Sequence, residues 1–263
     1  MRTFERVVGR FRLPNQPKER IQSNEWCLCT LAIHEPYRRR AQQLCLDALP
    51  WPVVVVTDEP RDFAGLGVRA VAHVQTGPMA TDYGRLQIET GCGKGAAAYH
   101  DKRFALQAAL EDFETAIFVD ADSRMSRLPA LDGFPSGLSV RPLPPETIAE
   151  HVLVYGPQRR PLFERLAVEL FGSEEPLTSA RWIVEDCFAV TRDGRESSFF
   201  EAWARVAAFF QSERMFSGEG GVIGLAAALL VGRSTTRRSP RSHRRSSTSP
   251  VARKLPDQVS EAD

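Results

Sequence analysis

Four consecutive valines, Val53 to Val56, constrain this chain more than any other feature. A β-branched run without polar alternation has no side to give to water, so it reads as a strand buried on both faces. Such strands belong to parallel sheets covered by helices. Pro50 and Pro52 bracket Trp51 ahead of the run, and Thr57-Asp58-Glu59-Pro60 ends it. The flanking segments fit the same architecture. Residues 26–33 are a mostly apolar run of strand length, and residues 35–49 place Ala41, Leu44, Cys45 and Leu49 on one helical face. Residues 68–74 form a weaker strand signal. A helix over 101–113, with Leu106, Leu110 and Phe113 on its apolar face, leads into a strand at 115–119. Further on, 137–140 reads as a strand, 161–171 as a helix, 181–190 as a strand and 197–210 as an amphipathic helix. The alternation of strand and helix predicts an α/β fold: an open, Rossmann-like sheet flanked by helices in a single domain over 25–232. Residues 1–24 read as an irregular lead-in.

Composition narrows the function classes. The chain has 263 residues and a formal net charge of +1, which gives no global reason to expect nucleic acid as a partner. The segment 233–263 is Arg/Ser-rich, carries a net +5 and lacks apolar periodicity, so it reads as a disordered basic C-terminal tail. Five cysteines, Cys27, Cys29, Cys45, Cys92 and Cys187, form no CxxC pair and match neither a zinc site nor a dense disulfide framework. The N-terminus lacks the apolar core of a signal peptide. The longest apolar stretch, 222–231, is too short for a bilayer, which needs about 20 residues. No transmembrane segment and a cytoplasmic location are the expectation.

The sharpest chemical signal is Ala116-Ile-Phe-Val-Asp-Ala-Asp-Ser-Arg124, an apolar strand that ends in two carboxylates separated by one residue. In open α/β sheets ligands bind beyond the carboxyl ends of the strands, which is where Asp120 and Asp122 fall. A bend there would let both converge on one hard cation, and Mg²⁺ or Mn²⁺ take oxygen ligands from protein, phosphate and water. Lys102 and Arg103 open the preceding helix. About 13 helical residues span roughly 20 Å, and about six strand residues span roughly the same distance back. Lys102 and Asp120 should therefore meet at one edge of the sheet, where cations suit a diphosphate.

Tyr99-His-Asp-Lys-Arg-Phe-Ala-Leu-Gln-Ala-Ala-Leu, followed by Thr115-Ala-Ile-Phe-Val-Asp-Ala-Asp-Ser, resembles the core of GT-A nucleotide-diphospho-sugar glycosyltransferases. In that family a Lys- or Arg-bearing helix leads into a strand ending in DxD. The resemblance implies a GT-A fold with an open mixed sheet, and a metal-dependent transfer of a sugar from a nucleotide-diphosphate donor, UDP-sugar favoured, to a hydroxyl acceptor. It implies that Asp122 ligates Mn²⁺ or Mg²⁺ directly, with Asp120 on the ribose or on the metal through water. Ala32 to His34 would lie along the nucleotide, Asp58 at the base or ribose, and Lys102, Arg103 and Ala121 beside the donor. Glu185 or Asp186, in Arg181-Trp-Ile-Val-Glu-Asp-Cys-Phe-Ala-Val190, would serve as the acceptor-side base. Trp182 and Glu219 would face sugar or acceptor, and the glycines of Ser217-Gly-Glu-Gly-Gly-Val-Ile-Gly224 would let backbone approach a ligand. The HxxGxxKPW-type segment of one retaining branch is missing, so stereochemistry stays open.

Two other classes compete. A haloacid-dehalogenase-like phosphohydrolase also places Asp-x-Asp after an apolar strand, but near the N-terminus and with a downstream Gly-Asp-x-x-x-Asp that is missing here. A non-catalytic nucleotide-binding module would keep the sheet without the chemistry. Neither a P-loop, a GxGxxG after a clear strand, a Ser-His-Asp signature nor HExxH occurs.

Overall fold

The computed structural model describes residues 25–74, 100–125, 135–140, 146–213, 215 and 218–236. The expected lead-in at 1–24, the glycines at 91–95, Cys92, Ser217 and the tail beyond Thr236 lie outside the described residues.

Among the described residues six strands form one mixed sheet: β1 (Trp26–Ala32), β2 (Val53–Thr57), β3 (Arg69–Ala72), β4 (Thr115–Val119), β5 (Gly137–Val140) and β6 (Cys187–Thr191), in the order β3-β2-β1-β4-β6-β5. β1, β2, β3 and β4 run parallel, whereas β6 is antiparallel to both β4 and β5. Among the described residues seven α-helices flank it: α1 (Glu35–Asp47), α2 (Lys102–Asp112), α3 (Ile148–Tyr155), α4 (Arg160–Phe171), α5 (Glu175–Ser179), α6 (Glu196–Ser212) and α7 (Glu219–Thr236). The open α/β sheet expected from sequence is thus present, with an antiparallel strand inserted beside β4.

The valine run behaves as its composition demands. Val53 and Val55 join Leu28, Ile117, Val119 and the α1 residues Ala41, Leu44 and Cys45 in one core layer. Val54 and Val56 join Cys27, Cys29, Phe118 and Phe188 in the other, beneath α2, α6 and α7. Burial of both faces removes any solvent side, so alternation is absent from the sequence. Cys27, Cys29 and Cys45 are buried free thiols. Among the described residues no helix is long and apolar enough to cross a membrane.

Three elements differ from the sequence reading. Residues 181–186 are not strand: Arg181 makes an isolated bridge to Thr147, and Glu185 and Asp186 form a turn before β6. Their backbone groups are claimed elsewhere, since Trp182 N–H donates to the Glu146 carbonyl and Ile183 N–H to the Gly220 carbonyl. α3 was not expected, although Thr147-Ile-Ala-Glu150 is a capping box whose reciprocal hydrogen bonds both form. α7 begins at Glu219, so Gly220, Gly221 and Gly224 are helical and not a loop. A Cβ at Gly220 would fall 2.2 Å from the Ile183 oxygen, and one at Gly224 would fall 2.1 Å from the Arg181 oxygen. The close approach these glycines permit is to residues 181–183 of the chain itself. α7 also continues to Thr236, into the segment read as tail.

Candidate functional site

The chain leaves β1 toward β2 and β3 on one side and returns to β4 on the other, so the winding reverses between β1 and β4. In open α/β sheets ligands bind outside the carboxyl ends of the strands at such a point. His34 follows β1, Asp58 follows β2, His73 follows β3 and Asp120 follows β4. Antiparallel β6 starts at the same edge, and Asp120 N–H donates to the Asp186 carbonyl at 3.0 Å. Sheet topology alone therefore gathers residues that are far apart in sequence.

At the centre stands Lys102. Its side chain is 3% exposed, and Nζ lies 2.8 Å from Asp120 Oδ1, 3.1 Å from Glu219 Oε1 and 3.2 Å from the Glu185 carbonyl oxygen. Three acceptors match the three protons of an ammonium. The helix-down, strand-back estimate that joined Lys102 to Asp120 is met. Lys102 is committed to oxygens of this chain and orders the site through Asp120, Glu219 and the Glu185 carbonyl. Burial opposes the Lys102 charge, but Asp120 and Glu219 outweigh it and push its pKa up. Burial raises Asp120 to about 6, with Lys102 pulling the other way. Glu185 is also pushed above the usual carboxylate range, by burial first and by the Glu219 charge second.

Glu219 reaches this cluster because α7 is pressed onto residues 181–183 through its glycines, which fixes the helix start beside Lys102. Trp182, expected to face sugar, is occupied. Its indole stacks on His151, with centroids 3.6 Å apart and planes at 11°, and the glycine backbone of α7 crosses close to it. Arg103 is not brought to the carboxylates: Nη1 donates to the His100 carbonyl at 2.6 Å and the guanidinium lies over Phe104. Asp58 accepts from Arg38 Nη1 at 2.9 Å and from His34 N–H at 3.1 Å, tying β2 to the start of α1. His34 takes a positive φ of 70° there. The side chains of Ala32 and Ala121 are buried in the α1-side core, leaving only main chain for a ligand to meet. Sequence reasoning passed over His73, Asp101 and Arg40. Arg40 lies in a helix that reads as solvated, and the other two carry no motif.

Asp122 differs from Asp120 in every respect. It is 53% exposed and pairs with Arg40 Nη1 at 3.5 Å, on the α1 side. The two carboxylates thus take different cationic partners, one toward α2 and one toward α1. Among the described residues no group of three or more His, Cys, Asp or Glu is placed to hold a metal by itself. A hard carboxylate at an exposed rim, loosely paired, is nevertheless the donor that Mg²⁺ or Mn²⁺ accepts when phosphate and water complete the shell. Of the two carboxylates, Asp122 is the one that could hold such an ion, since Asp120 is committed to Lys102.

Compared with known proteins, the chain matches no family model and no curated sequence.

Proposed function

We propose that this chain is a metal-dependent glycosyltransferase that moves a sugar from a nucleotide-diphosphate donor to a hydroxyl acceptor. The observation that carries the reading is the pairing of half-buried Asp120 with buried Lys102 at the point where the winding reverses, with exposed Asp122 two residues beyond. A divalent cation held by Asp122 would supply positive charge to the donor diphosphate. Lys102 fixes Asp120 by a charge-assisted hydrogen bond, so the first carboxylate keeps one orientation. Glu185, raised toward neutral pH by burial, is suited to take the proton of an acceptor hydroxyl, because a base works best when its pKa lies near the operating pH. Asp186 contributes its carbonyl to the Asp120 backbone, which supports the turn that presents Glu185.

Release of nucleotide from a UDP-sugar, with Mn²⁺ and without it, tests the proposal. Glu185→Gln should lower turnover by about 10²–10⁴-fold while nucleotide binding stays. Unchanged turnover would remove Glu185 from the chemistry. Binding without sugar release in the wild type would favour a nucleotide-binding module, and hydrolysis of small phosphate esters would favour a phosphohydrolase.

A further inference from the structure

Arg40 is held more loosely than the cations around it. Arg38 is committed to Asp58 and Asp62, and Arg124 to Asp47. Arg40 Nη1 lies 3.5 Å from Asp122 Oδ2, beyond ordinary hydrogen-bond length, and the side chain is 57% exposed. Its only other described contact is with the Tyr37 ring, 5.8 Å from guanidinium carbon to centroid, which uses none of its N–H donors. An exposed pair of this kind is favoured over solvent by no more than about five-fold. It nevertheless occupies the carboxylate that the reading above gives to a divalent cation. A cation arriving on Asp122 takes the charge that held Arg40 and repels a guanidinium at that distance.

We propose that Arg40 exchanges partners at the site: it rests on Asp122 while no cation is bound, and moves to the diphosphate of the donor when the cation takes that carboxylate; this rests on the glycosyltransferase reading above. Phosphate oxygens that complete the shell of a cation on Asp122 lie close to that carboxylate, within reach of an arginine already beside it. A free nucleoside diphosphate carries roughly three negative charges at neutral pH, more than one divalent cation offsets. A guanidinium supplies the balance with a planar fork that matches phosphate oxygens, and it stays charged at any working pH. Lys102 and Arg103, the cations expected there from sequence, are committed to oxygens of the chain itself. Arg40 is the cation that the structure places on the candidate metal ligand.

Arg40→Gln removes the charge and keeps a good helix former at an exposed position of α1. Two titrations of the full chain test the exchange: Mn²⁺ alone, followed by EPR of the free ion, and UDP or GDP at fixed Mn²⁺, followed by calorimetry. The variant should bind Mn²⁺ alone about two- to five-fold tighter, because Asp122 has lost its competitor. It should bind the nucleotide with Mn²⁺ about ten-fold more weakly, because the phosphate has lost a charge-assisted hydrogen bond. The opposite signs are the signature of exchange, since an idle surface arginine would move neither affinity. Adding Asp122→Ala should abolish the gain in Mn²⁺ affinity, and a gain that survives shows that the competition is elsewhere and overturns the proposal. Mn²⁺ affinity no tighter than wild type, or nucleotide affinity equal to it, overturns the proposal and leaves the glycosyltransferase reading standing. A wild type that binds neither nucleotide refutes that reading, and the exchange falls with it.

Discussion

Asp120 and Asp122 are separated by one residue, yet they belong to two physically different regions. Asp120 is 28% exposed and clamped by a lysine that is itself 3% exposed; Asp122 is 53% exposed and meets Arg40 at 3.5 Å. The inner region, Asp120–Lys102–Glu219, is a charge cluster built on buried Lys102 and Glu219, with matched donors and acceptors. Such clusters are costly to break, because removing one member strands the others without water. The outer region is a surface pair of little energetic weight that is free to change partner. The difference teaches a division of labour: the inner carboxylate is architecture that aims the rim, and the outer one is available for a ligand.

That division can be broken most severely at Lys102. Lys102→Met should cost about 3–5 kcal/mol, read as a fall in urea midpoint, because Asp120 and Glu219 then face each other unneutralised. Adding Asp120→Asn and Glu219→Gln to the same variant should restore most of the loss. A single-variant cost below about 1 kcal/mol would mean that the inner cluster is not the clamp described.

A second, smaller effect comes from His100, fully buried beside the inner cluster with neither ring nitrogen hydrogen-bonded. Burial lowers its pKa from 6.5 to about 4, partly offset by Glu219 and Asp101. The folded chain therefore binds fewer protons than the unfolded chain between those values. His100 adds no pH-dependent penalty above pH 6.5, and that penalty grows as pH falls from there toward about 4. His100→Phe should flatten this slope, sparing up to about 3 kcal/mol at the acid end. Unfolding curves of equal pH dependence in both proteins would show that the imidazole is not kept neutral by burial.

Much of the inner region was legible in the sequence. The four valines announce a strand covered on both faces, and the lengths of α2 and β4 bring Lys102 back to Asp120. What the sequence conceals is where each charged group points. Lys102 and Arg103 are adjacent cations of the same class, but a rotation of about 100° along the helix sends one into the core and the other over Phe104. The glycines of α7 read equally well as a loop or as a contact surface until Arg181 and Ile183 are seen against them. Residues 181–186 have the composition of a strand, and only the hydrogen bonds of Trp182 and Ile183 to Glu146 and Gly220 explain why they are not. His73, placed by pairing of β3 with β2, meets Asp101 at the start of α2, a long-range contact that no local pattern encodes.

The smallest expected change in stability, and the largest in function, lies at Asp122. Asp122→Ala should unfold within about 0.5 kcal/mol of the wild type, since the residue is at the rim and outside both core layers. A thermal-shift comparison of UDP-, GDP- and CMP-sugars, with Mn²⁺ and without, tests the central claim most directly. A nucleotide sugar should raise the melting temperature of the wild type only with metal present, and Asp122→Ala should show no rise. An equal rise in Asp122→Ala, or a rise that ignores the metal, would contradict the account.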